Sequence, residues 1–105
     1  MAGRKEITII DYGAGNLRSV VNAIIRLGRQ PVVTNRAVDL ARAEAAILPG
    51  VGAAAACMTA LRAAGMDGAI RSFIAEDRPF LGICLGLQIL FSTTEEDGGQ
   101  KCLGI

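Results

Sequence analysis

Apolar positions along the chain fall into two alternating kinds of segment. Ile7 to Ile10 is a short β-branched run that stops at Asp11, the composition of a strand. Tyr12 to Gly15 is glycine-bearing loop, and Asn16 stands where it can cap a helix. Leu17, Val20, Val21, Ile24 and Leu27 then recur at helical spacing, and Gly28 is placed to end that helix. Pro31 to Thr34 predicts a second strand, and Ala45 to Leu48 a third, buried one that stops at Pro49. Val51 to Gly65 is mostly alanine, a strong helix former, which predicts a helix with Gly65 near its end. Ile70, Phe73 and Ile74 mark another short helix. Pro79 to Ile83 follows as a buried strand, Leu85 to Phe91 as a helix that begins at once after it, and a further strand is expected to start at Cys102.

The order β-α-β-β-α-α-β-α predicts an α/β fold of flavodoxin-like type: a mostly parallel sheet with helices on both faces, whose ligands sit at the carboxyl ends of the strands. Three glycine-bearing turns fall at those ends, Asp11 to Asn16, Pro49 to Gly52 and Gly82 to Gly86.

Composition narrows the function classes. The 105 residues are 51% hydrophobic, enough for a packed core and against disorder. Eleven basic and ten acidic residues leave a net charge of +1, with no basic block of the kind that nucleic acid or an anionic membrane would select. The first charges run straight into a strand-like segment, with no apolar signal region, so a soluble cytoplasmic protein is expected. Cys57, Cys84 and Cys102 are widely spaced without a CxxC, and there is no histidine, which argues against a disulfide framework and a zinc site. Neither a metal nor another cofactor is expected.

The segment richest in chemistry is Gly82-Ile83-Cys84-Leu85-Gly86, the cysteine version of a nucleophile elbow. A sharp strand-to-helix turn crowds its neighbours, which calls for residues without a Cβ on either side. The start of a helix also stabilises negative charge. Elsewhere, the same spacing is compatible with a small buried thiol between helix-packing glycines. Gly50-Val51-Gly52 offers backbone amides at the neighbouring strand end, where an oxyanion hole can form with the amide of Leu85. The same turn, with Ala55, also fits G-x-G-x-x-A, although a dinucleotide fingerprint belongs after the first strand rather than the third. Gln88 lies one helical turn beyond Cys84, on its face of the helix. Glu95 and Glu96 follow in a polar loop and are suited either to a cationic group or to solvent. Cys57 and Cys102 read as packing residues.

Taken together, Asp11 to Val20 (DYGAGNLRSV), Pro49 to Ala53 (PGVGA) and Gly82 to Gln88 (GICLGLQ) resemble the class I glutamine amidotransferases. The resemblance is strongest to their histidine-pathway branch, the glutamine amidotransferase subunits of imidazole glycerol phosphate synthases. It implies hydrolysis of glutamine to glutamate and ammonia, with Cys84 forming a glutamyl thioester and Gln88 and Glu96 holding the amino-acid end of the substrate. Gly50, Val51, Gly52 and Leu85 would form the oxyanion hole. Tyr12, Gly13, Gly15, Asn16 and Arg18 would face a (βα)₈-barrel cyclase subunit that receives the ammonia for imidazole glycerol phosphate formation. Family members also carry a catalytic His and Glu well downstream of the elbow, whereas this chain has no histidine. The resemblance therefore implies that residues 1–105 are the N-terminal part of a single class I glutamine amidotransferase domain, inactive alone. Two other classes stay open on residues alone: another class I amidotransferase or cysteine-elbow enzyme on the same scaffold, and a non-catalytic nucleotide-binding or interaction domain.

Overall fold

In the computed structural model, which describes residues 5–13, 17–50, 54–90, 93–94 and 100–104, β1 (Glu6–Ile10) lies inside a parallel sheet. Helix α1 (Arg18–Arg26) leads to β2 (Gln30–Thr34), α2 (Ala37–Arg42) to β3 (Ala46–Leu48), and α3 (Ala54–Ala63) with α4 (Met66–Ala75) to β4 (Phe80–Gly82). The strand order is β2-β1-β3-β4, each pair parallel. A short helix α5 (Leu85–Gln88) follows, and then β5 (Thr93–Thr94) and β6 (Gln100–Lys101) form a separate antiparallel pair. The flavodoxin-like α/β fold expected from the sequence is the one observed.

Alternation along β1 explains why helices cover both sheet faces. Ile7 and Ile9 join Ile47 and Ile83 in a cluster with Ile24, Val20 and Val21 of α1. Ile10, with Ala46 and Leu48 of β3, turns to the larger cluster built from Leu40, Met58, Leu61, Met66, Ile70 and Phe73. A strand buried on both faces needs apolar residues on both, and β1 and β3 supply them. Helix α1 ends at Gly28 (φ +78), where the amides of Gly28 and Arg29 bond back to Ile25 and Ile24, the paired bonds of a Schellman motif.

Several elements differ from expectation. The β5–β6 pair is not among the elements expected, and β4, expected to be a buried strand, stands at the sheet edge with Leu81 exposed. The residue at the N-cap of α1 is Leu17, without a side-chain cap bond. Helix α2 is additional: it buries only Leu40, so its six residues carry no apolar period to detect. Its start is organised by a side chain instead, since the Thr34 hydroxyl accepts from the Arg36 amide (3.0 Å) and donates to Asp39 Oδ2 (2.6 Å). Helix α5 stops at Gln88 rather than continuing to Phe91, which lies outside the described residues. Cys102 begins no strand; it is buried, and the next residue, Leu103, donates its amide to the Ile89 carbonyl at 2.8 Å. That bond ties the C-terminal segment to the turn after α5 and explains how its apolar residues are buried without a ladder.

Candidate active site

The strand order reverses around β1, whose following connection goes to β2 on one side while β3 lies on the other. A crevice forms at such a switch point, at the carboxyl ends of the strands. The turns after β1, β3 and β4 all open there, which brings Tyr12, Gly50 and Cys84 to one edge of the sheet.

Cys84 has φ +53, a left-handed conformation that costs a residue bearing a Cβ about 1–2 kcal/mol. The cost is borne because the turn is held from both sides. The Ile83 amide donates to the Leu48 carbonyl at the end of β3 (3.0 Å), and the Gly86 amide donates back to Ile83 (2.9 Å). Gly86 is buried so tightly that a Cβ there would overlap the Leu48 carbonyl oxygen and stand 2.8 Å from its carbon. The result is an exposed thiol at a strained strand-to-helix corner, while the side chains of Cys57 and Cys102 are buried. This is the accessibility a nucleophile needs and a packing cysteine lacks.

The neighbouring turn approaches closely. Pro49 and Gly50 are buried, and a Cβ on Gly50 would collide with the Tyr12 hydroxyl and lie 3.2 Å from the Leu85 Cβ. A dinucleotide would have to approach Gly50 where the Tyr12 hydroxyl and the start of α5 already stand. The Leu85 amide, placed beside Cys84 as an oxyanion donor should be, donates to the Gly50 carbonyl at 3.2 Å. In this arrangement the turn presents a carbonyl to that position, and the donor is already engaged.

Tyr12 packs on the main core with its hydroxyl oxygen buried. Burial, reinforced by charge interaction with Cys57, pushes its ionisation well above the ordinary phenol range. The Cys57 thiol is likewise raised by burial, an effect partly offset by its contact with Tyr12. Neither this pairing nor the contact of Tyr12 with Gly50 is legible in the sequence, because no spacing rule links residues so far apart in the chain. Gly13 is exposed at φ +87, with its amide on Asp11 Oδ1 (2.9 Å), and Arg18 is exposed at the first position of α1. Gln88 closes α5, but its side chain lies outside the described residues, as do Gly15, Asn16, Val51, Gly52, Glu95 and Glu96. An apolar groove of about 560 Å³ opens on the α1 side of the sheet, between Val20 and Ile24 of α1, Ile47 and Leu81 of the strands, and Ile83 just after β4. Its walls offer little polar chemistry. Among the described residues there is no group of side chains that could hold a metal ion, and no helix is long and apolar enough to cross a membrane.

Comparison with known proteins agrees with this arrangement. Residues 8–99 match the family described as glutamine amidotransferase class-I. The chain is 52% identical over 99 residues to the imidazole glycerol phosphate synthase subunit HisH of Dehalococcoides mccartyi strain CBDB1, covering 94% of this chain and 48% of that one. It is 48% identical over 99 residues to the chloroplastic imidazole glycerol phosphate synthase hisHF of Arabidopsis thaliana, covering 94% of this chain and 17% of that one. The chain thus spans about half the length of the HisH relatives it matches. Among solved structures, a glutamine amidotransferase crystal structure superposes with a TM-score of 0.78 at 23% identity, over 93% of this chain and 52% of that one. A putative peptidase E from Listeria monocytogenes EGD-e superposes at 0.70 with 19% identity, over 82% of this chain and 49% of that one. At such identities the two superpositions speak for the fold alone.

Proposed function

The chain belongs to the class I glutamine amidotransferase family, and from that premise we propose that Cys84 attacks the side-chain amide of glutamine, releasing ammonia for imidazole glycerol phosphate formation. The observation that carries this reading is the exposed Cys84 thiol in a left-handed elbow, with the Leu85 amide beside it at the carboxyl edge of the sheet.

The thiolate adds to the amide carbon, and the carbonyl oxygen takes the negative charge. Donors for that oxyanion are the Leu85 amide and an amide of the Gly50-Val51-Gly52 turn. Collapse of the adduct breaks the carbon–nitrogen bond, and the nitrogen leaves as ammonia after gaining a proton. Water then cleaves the glutamyl thioester, giving glutamate and the free thiol. Proton delivery in these steps is worth about 10²- to 10⁴-fold. These 105 residues contain no histidine, so the catalytic His and Glu are assigned to the remaining length of the relatives. On this reading residues 1–105 are the N-terminal part of a single domain. Gln88 and Glu96 hold the amino-acid end of glutamine, and the first turn, with Gly13, Gly15, Asn16 and Arg18, faces a (βα)₈-barrel cyclase subunit; Tyr12, expected from the sequence to face that subunit too, packs on the main core with its hydroxyl buried. A nucleophilic free thiol suits a reducing compartment such as the cytoplasm.

The bond from the Leu85 amide to the Gly50 carbonyl supports control at this point, because the donor must be released before it can serve an oxyanion. One such donor is worth about 2.7–4 kcal/mol of barrier, so turning one peptide changes turnover by about 10²- to 10³-fold. The partner, loaded with its nucleotide, is the trigger that would keep glutamine from being hydrolysed without an acceptor. The test joins this chain to the C-terminal half of the Dehalococcoides relative and measures ammonia release with and without barrel subunit and nucleotide. Turnover should need both additions and vanish in Cys84→Ala. Equal rates with and without partner would remove the switch, and activity retained in Cys84→Ala would remove the nucleophile.

A further inference from the structure

Tyr12, the only tyrosine of the chain, carries a buried hydroxyl with no nitrogen or oxygen partner among the described residues. The Cys57 thiol interacts with it, but a thiol is a weak partner and leaves the hydroxyl unsatisfied. Such a group is costly to leave unpaired, so the arrangement favours any movement that brings it an acceptor.

The backbone against which this oxygen stands is Gly50. A Cβ built on Gly50 would fall on the Tyr12 hydroxyl, so the hydroxyl occupies the space where an L-residue would carry its side chain. The carbonyl of the same residue is engaged by the Leu85 amide at 3.2 Å. Rotation about the Gly50 Cα–C bond swings the carbonyl oxygen about that bond, and the absence of a Cβ leaves the hydroxyl beside its path. One acceptor, two competing donors and a glycine between them make a two-position device.

We propose that Tyr12 is a positioning residue for the oxyanion turn: its hydroxyl donates to the Gly50 carbonyl oxygen when that oxygen leaves Leu85, and so keeps the Leu85 amide open. The catalytic consequence rests on the function proposed above; the two positions of the carbonyl are a property of the backbone alone. The same contact gives the first turn, which leads from β1 through Tyr12, a direct mechanical link to the oxyanion turn.

Amide hydrogen exchange at Leu85, followed by NMR in this chain, tests the device without any need for turnover. In Tyr12→Phe the open position loses its hydrogen bond, and Leu85 exchange slows about fivefold, the factor that corresponds to a net bond of about 1 kcal/mol. The Ile89 and Leu103 amides, which bond to Leu85 and Ile89 carbonyls in the same region, keep their rates. Incorporation of 3-fluorotyrosine, a stronger donor of nearly the same size, moves Leu85 exchange the opposite way. In the polypeptide extended to the length of its relatives and activated by its partner, Tyr12→Phe lowers kcat about fivefold while KM for glutamine and the alkylation rate of Cys84 stay unchanged. Leu85 exchange that is unaltered by both replacements overturns the proposal, as does a wild-type kcat in activated Tyr12→Phe. Absence of ammonia from the unmodified extended protein would instead count against the role of Cys84, with the exchange measurement still deciding that of Tyr12.

Discussion

Replacing Gly86 with alanine is the sharpest test of how the elbow is built. The added methyl would overlap the Leu48 carbonyl oxygen and stand 2.8 Å from the Leu48 carbonyl carbon and 3.2 Å from its Cγ. Carbon atoms in comfortable contact are about 3.5–4.0 Å apart, so the end of β3 or the start of α5 must move by roughly 1 Å. Overpacking of this sort costs about 1–3 kcal/mol. The shift also strains the bond from the Ile83 amide to the same Leu48 carbonyl, worth about 1 kcal/mol. A total of about 2–4 kcal/mol corresponds to a fall in Tm of at least about 8 °C for a domain of this size. The control is Gly68→Ala, in the first turn of α4, where a Cβ meets nothing within 4 Å. That change should stabilise by about 0.5–1 kcal/mol through helix propensity alone. Thermal melts of the three proteins, followed by circular dichroism, decide the matter. Gly86→Ala melting at or above the unmodified chain would refute the close approach of α5 to β3.

The thiols should react in the order of their exposure. Under native conditions a disulfide reagent is expected to titrate Cys84 alone, with Cys57 and Cys102, 2% and 7% exposed, reacting only on unfolding; Cys57 reacting first would contradict the assignment. Thr34→Val removes both hydrogen bonds that organise the start of α2 and should cost about 1–2 kcal/mol in urea unfolding, whereas Val33→Thr on the exposed side of β2 should cost less than about 0.5 kcal/mol. Because burial raises the ionisation of Tyr12 in the folded chain, tyrosinate absorbance should appear only well above pH ~10 and return to the ordinary range in denaturant. The sign follows: above pH ~10 the unfolded chain releases the phenolic proton while the folded chain retains it, so stability is full below that pH and falls as pH rises further. Stability independent of pH between about 9 and 11, in Tyr12→Phe and unmodified chain alike, would contradict the buried hydroxyl.

Much of this protein was determined locally. Ile7 to Ile10, the periodic residues of α1 with Gly28 behind them, and the Gly82-Ile83-Cys84-Leu85-Gly86 turn are each set by neighbours a few residues away. Local rules of period, capping and turn chemistry therefore reach them, and through them the α/β class and the cysteine proposed as nucleophile. Helix α2 escaped because one buried leucine makes no period, and its start depends on Thr34 and Asp39 meeting across a turn. Contacts between residues distant in sequence arose only in the folded chain. The β2-β1-β3-β4 order brings three turns to one edge, and there Leu48 limits Gly86, Gly50 engages the Leu85 amide and the Tyr12 hydroxyl is buried against Gly50. Each of these depends on separations of a few ångströms across strands, which side-chain period cannot encode; they arise when parallel pairing sets the register and the two faces of the sheet are buried.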